Sequence, residues 1–180
     1  MSDENINAIA RALLPPDPAK LQEDKIYFET GRSVIALSNI ESDLRFLFGV
    51  LVAPSPYEVA TTVFDEVANI GTRLKLVNVL VDKVCNDEEK KEWAVISSTI
   101  SMHKGIRNLV AHQRMGYEDV DGPDIQRVIL QPSRSKKGRR LEGKDIARTA
   151  DALEPMADKV YIFGRALAIR LVPELKKKWT

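Results

Sequence analysis

The sequence predicts an all-α protein, a bundle of four to five helices with a small β-hairpin inserted before the last helix. Apolar residues recur at spacings of three and four through most of the chain, the period of a half-buried helix. Prolines and Asn/Asp caps cut those stripes into separate segments. Between Met115 and Lys144 the helical period disappears, and Gly122-Pro123 divides two extended stretches.

At 180 residues the chain has the length of one domain and can bury a core without disulfides or a structural metal. We assign residues 19–175 to a single helical domain, with 115–144 as a hairpin and basic-loop insertion, and residues 1–18 to an N-terminal helical arm.

In chain order, residues 3–14 place Ile6, Ile9, Ala10 and Leu13 on one side of a short amphipathic helix, stopped by Pro15, Pro16 and Pro18. A long helix is expected from about Ala19 to Val52, where Val34, Leu37, Leu44, Phe48 and Leu51 keep helical spacing until Pro54 and Pro56. Gly31 is expected to loosen its middle. Ser55-Pro56 reads as a cap with proline in the first turn. The helix it opens carries the stripe Val63, Val67, Ile70, Leu74, Val77, Val81 and Val84, with Gly71 as a kink. Asn86 or Asp87 caps the next helix and puts Asp87, Glu88 and Glu89 in its positive first turn. That helix is expected to reach about Arg114 and stop before Gly116. Tyr117 to Val120 and Gln126 to Gln131 form the hairpin, and the SRSKKGRR run after it is a loop. The last helix begins near Asp145. Its stripe of Ile146, Ala150, Leu153, Met156, Val160, Phe163, Leu167 and Leu171 passes through Pro155, which predicts one kinked helix rather than two.

Composition narrows the function classes. Twenty-seven basic against twenty-six acidic residues leave a net charge of +1, so a nucleic-acid site has to be a local patch. The single cysteine, Cys85, forms no internal disulfide and suits a reducing compartment. Its acidic neighbours Asp82, Asp87, Glu88 and Glu89 disfavour a thiolate, so it reads as a half-buried helix residue. The amino terminus lacks the basic region and apolar core of a signal peptide. No segment approaches the roughly 20 apolar residues that span a bilayer. The expectation is a cytoplasmic protein with no membrane partner.

The chemistry concentrates at residues 107–112, Arg-Asn-Leu-Val-Ala-His. The chain has only two histidines, His103 and His112, both on the same predicted helix. On a helical projection Trp93, Ile96, Ile100 and Arg107 fall near one line, with Val95, Met102, Ile106 and Leu109 nearly opposite. A helix apolar on two sides needs cover on two sides, from a bundle or a partner subunit, so Arg107 is expected in a buried stripe. Asn108 and His112 share a face, and the reach of Arg107 lets all three converge on one anion. A helix end just past His112 favours a protonated imidazole, which suits a general acid. Tyr117 offers a hydroxyl just beyond. Glu41 lies within the apolar face of the long helix and calls for a cation, for which Arg107, Arg45 and Arg73 compete.

RNLVAH resembles the RxxxxH signature, in its common form RNxxxH, of the HEPN domains (higher eukaryote and prokaryote nucleotide-binding). The resemblance extends to the all-helical layout from about residue 19 to 172. It implies a four- to five-helix bundle that dimerises and brings two motifs into one cleft, and a metal-independent endoribonuclease of toxin, defence or RNA-processing type. Carried over, Arg107 binds the scissile phosphate, Asn108 orients it and His112 acts as acid or base while the ribose 2′-hydroxyl attacks phosphorus. Glu41, Lys104 and Tyr117 are the supporting side chains. Members paired with nucleotidyltransferase antitoxins often carry a tyrosine two positions after the histidine, where this chain has Arg114. The implied partners are an RNA substrate, a second copy of the chain, and an antitoxin or regulatory protein. No metal or cofactor is implied.

Arg114 and the loop residues Arg134, Lys136, Lys137, Arg139 and Arg140 are the expected RNA-backbone contacts. A merely solvated loop is the competing reading of such a charge run, and the lack of interleaved aromatic residues weakens sequence-specific readout. His103 reads as an interface or structural residue. The competing function is a noncatalytic HEPN-like module that binds nucleotides, RNA or protein.

Overall fold

A computed structural model describes residues 17–53, 55–119, 126–132 and 140–172. Residues 1–16 of the expected N-terminal arm and the loop residues Arg134, Lys136, Lys137 and Arg139 lie outside them, and the arm's last two residues, Asp17 and Pro18, are the cap and first residue of the first helix. The described chain is mainly helical, with a two-stranded antiparallel hairpin before the last helix, as the sequence patterns require.

Helix α1 runs from Pro18 to Leu51 without a break. Asp17 caps it, its carboxylate accepting the Ala19 N–H at 2.9 Å, and Pro18 occupies the first turn where no N–H is needed. Ile26, Leu37, Ile40, Leu44 and Leu47 face the core, each contributing roughly 1.5–3 kcal/mol by burial. Gly31 does not interrupt the helix, because its neighbours on both sides hold the core face.

The single helix expected after Pro56 is two: α2 (Tyr57–Asp65) and α3 (Ile70–Val84). Asn69 caps α3, its side chain accepting the Thr72 N–H at 2.9 Å, so the direction changes at 66–69 and not at Gly71. The break lets α2 bury Ala60, Thr61 and Phe64 while Val63, expected in the stripe, stays 55% exposed. Phe64 meets Phe48 at 5.1 Å between ring centroids. Cys85, just after α3, is buried rather than half-buried. Burial, reinforced by Glu89, holds its thiol above the ordinary range.

Helix α4 (Asp87–His103) opens on a capping box in which the Asn86 side chain accepts the Glu89 N–H and Glu89 accepts the Asn86 N–H, both at 2.9 Å. It does not reach Arg114. The chain turns at Lys104-Gly105 and resumes as the short α5 (Ile106–Ala111). The buried face therefore passes from Trp93, Ile96 and Ile100 on α4 to Ile106 on α5. Arg107 thus leaves the buried apolar stripe in which it was expected, its side chain 45% exposed. On the second apolar side Ile106 is buried and Leu109 packs against the core, while Val95 and Met102 are exposed in the single chain.

Strands β1 (Gln113–Asp119) and β2 (Gln126–Pro132) pair with Met115 opposite Leu130 and Tyr117 opposite Val128. The pairing starts four residues before Tyr117 because α5 ends early. Val128 and Leu130 join Leu141, Ile146 and Ile26 in a small second core that seats the hairpin on α1, with Leu109 and Val110 of α5 packed against both cores. The Gln22 side chain accepts the Val128 N–H at 3.0 Å.

The last helix, α6 (Gly143–Leu171), contains Pro155 and is continuous. It packs along α1, and its Phe163 ring meets Trp93 of α4 at 5.3 Å. At the polar edge of the α1–α6 seam, Arg32 donates to Glu29, Asp151 and Glu154, which pairs the buried Glu29 carboxylate. No helix of the described residues is long and apolar enough to cross a membrane.

Candidate functional site at the α1–α5 edge

Arg107 lies in the first turn of α5 and reaches back across α1. Its Nη2 donates to Ser38 Oγ at 3.1 Å and its Nη1 lies 3.5 Å from Glu41 Oε2. Ser38 and Glu41 are three residues apart on one helix, which makes them neighbours able to grip one guanidinium. The Glu41 side chain is 18% exposed, and a carboxylate so far withdrawn from water is costly without a cation.

The two competing cations are committed elsewhere. Arg45 forms two 2.9 Å bonds from Nε to the Asp65 carboxylate. Arg73 donates to the carbonyls of Val67 and Asp65 at the α2–α3 break and lies over the Phe64 ring, 5.3 Å from its centroid. Glu41 is thus left to Arg107.

His112 is the residue at which α5 ends, and its backbone N–H donates to the Asn108 carbonyl at 3.2 Å. Gln113 begins β1 directly afterwards, so the imidazole stands at a helix-to-strand junction. Its ring and the Asn108 amide are exposed, and neither has a hydrogen-bond partner among the described residues. Five residues at ~100° each place Arg107 and His112 about 140° apart around α5. The single chain accordingly does not bring them to a common partner: Arg107 is turned to α1 while His112 faces solvent. The expected three-way convergence on one anion is not formed within one copy.

The supporting residues separate in the same way. The Tyr117 hydroxyl donates to Glu23 on α1, a bond that raises the phenol above its ordinary range, so it is not turned to the motif. Lys104 Nζ bonds Ser101 Oγ at 3.2 Å and caps the end of α4. Arg114 is exposed, with no ion pair among the described residues, whereas Arg140 is paired to Glu118 at 2.5 Å.

Sequence reasoning missed Ser38, the second ligand of Arg107. Its position three residues before Glu41 was the available signal. Chemically the edge offers a guanidinium fixed from behind, an open amide and an open imidazole, which can donate or accept a proton.

No protein-family model, no curated protein and no solved structure matches this chain.

Proposed function

We propose that this protein is a metal-independent endoribonuclease of HEPN type whose active site is shared between two copies of the chain. The observation that carries this reading is the division of the RNLVAH motif. Arg107 is fixed by Ser38 and Glu41, while Asn108 and His112 on the same short helix are exposed and unengaged among the described residues. A phosphate bound by Arg107 of one copy needs a proton-transfer group from elsewhere, and the exposed His112 of a second copy supplies it.

An exposed apolar row on α1 supports the homodimer. Leu21, Phe28 and Ile35 repeat at seven-residue spacing, each more than half exposed, on the helix that also carries Ser38 and Glu41. A row at that period suits pairing with a second helix.

In the shared site, Arg107 neutralises the scissile phosphate and Asn108 donates to a non-bridging oxygen. The ribose 2′-oxygen attacks phosphorus as its proton passes to the His112 imidazole of the second copy, and the bond to the 5′-oxygen breaks as that oxygen takes the proton back from the same imidazolium. The products are a 2′,3′-cyclic phosphate and a 5′-hydroxyl. Arg114 and the basic loop supply backbone attraction.

The noncatalytic reading has one observation in its favour: Glu41 already occupies Arg107 and competes with phosphate for it. The two readings separate in an assay of total RNA cleavage with EDTA present, comparing wild type with His112→Ala at matched folding and dimerisation. Loss of cleavage on substitution supports the enzyme. Equal cleavage by both, or none by either in vitro and in cells, leaves the binding module.

A further inference from the structure

A cavity of about 470 Å³ opens between the α4–α5 turn and the start of α6. That volume lies within the range of about 300–1,000 Å³ typical of small-molecule sites. Its apolar wall is Met102, Ile106, Leu109 and Leu141, and its polar groups include His103 and Arg148.

The hydrogen bonds around His103 define which ring nitrogen is available. The Thr149 hydroxyl has a single proton and donates it to the Asp145 carbonyl at 3.2 Å. With the proton placed there, its 3.3 Å bond to His103 Nδ1 is one that it accepts, the arrangement in which Nδ1 carries the hydrogen. In the neutral ring Nε2 is left as an acceptor, and no described residue fills it. Arg148, one residue before Thr149, has no hydrogen bond or ion pair among the described residues. The Asp145 carboxylate is drawn to the helix start, accepting the Glu142 N–H at 3.1 Å.

Gly105 adds a separate observation. Its φ of −77° suits any residue, and a methyl group placed there would meet nothing within 4 Å. Neither backbone conformation nor packing requires glycine, which costs a helix about 1 kcal/mol relative to alanine. Gly105 lines the cavity, and no side chain stands there to narrow it.

We propose that this cavity binds a small organic anion with an apolar body, an N–H or O–H donor for His103 Nε2, and a carboxylate or phosphate head for Arg148. The site does not depend on the RNA-cleavage reading, and its test makes no use of cleavage.

The full chain is titrated by calorimetry and by amide NMR with indole-3-acetate and indoxyl phosphate, which carry the two heads. Indole-3-acetamide serves as the uncharged analogue and naphthalene-1-acetate as the one without a donor. One of the two anions is expected to bind one to one, at least tenfold more tightly than the uncharged or donorless analogue, and which one binds identifies the head group. Arg148→Ala is expected to erase the preference for the anion, and Gly105→Leu to block all binding while the chain still unfolds cooperatively. Absence of saturable binding by either anion, or binding that both substitutions leave unchanged, would overturn the proposal.

Discussion

Arg107 and Glu41, 66 residues apart in the chain, meet at 3.5 Å across the α1–α5 contact. With Ser38 they fix the guanidinium at the edge of the fold. This pair is where the topology of the bundle and the proposed chemistry come together.

Because the Arg107 side chain is 45% exposed, the pair is worth little to stability, about 0–1 kcal/mol. Arg107→Ala, which leaves the 18%-exposed Glu41 carboxylate without its cation, is expected to cost on the order of 1 kcal/mol that Glu41→Gln in the same chain recovers, while lowering RNA cleavage at least a hundredfold. A large fall in the urea midpoint would make Arg107 a structural residue.

Tyr117 separates a hydroxyl near the motif from one that takes part in it. Its O–H is given to Glu23, so Tyr117→Phe is expected to keep cleavage within about twofold of wild type. In a spectrophotometric titration, the phenol lost in that variant should be one that ionises above the ordinary tyrosine range. A hundredfold loss of cleavage would assign the hydroxyl to catalysis.

Asp43 on α1 faces Asp158 on α6, and burial together with that second carboxylate pushes its acid up to about 6. The ordinary value of 3.8 applies to the unfolded chain, so between the two values the folded protein holds the extra proton. Stability from this group is complete below the lower value and is lost as pH rises through the upper one, by about 1 kcal/mol after allowance for solvent screening. Asp43→Asn should raise the urea midpoint at pH 7.5 and have little effect at pH 3.5. An equal effect at both would point to packing instead of charge.

The Asn86 capping box holds the start of α4 and, through that helix, the turn that leads to Arg107. Asn86→Ala is expected to cost about 1 kcal/mol, and Asn86→Ser to recover most of it. Circular dichroism during urea unfolding checks both.

The limits of α1 and α6 were readable in the sequence because long, regular apolar stripes ended at prolines or passed through one. The breaks at 66–69 and at Lys104-Gly105 were not. Each is set by the need to bury Phe64 or Ile106 against distant residues, a constraint that outweighs a continuous local pattern. The same breaks fix the phase of α3 and α5, and hence which arginine Glu41 receives. Sequence left Arg45, Arg73 and Arg107 in competition. The fold resolves it by giving Arg45 to Asp65 and Arg73 to the α2–α3 carbonyls. Likewise His103 showed no partner in sequence because Thr149 lies 46 residues away.

The shared site is tested most directly by mixing two inactive chains. Arg107→Ala and His112→Ala are each expected to abolish RNA cleavage, and co-refolding them should form mixed dimers in which one intact Arg107 meets one intact His112 from the other copy. Cleavage in EDTA is expected to return, with 2′,3′-cyclic phosphate ends and up to about half the wild-type rate per mixed dimer. Mixed dimers that form and stay inactive, or either single variant cleaving as well as wild type, would contradict the shared site.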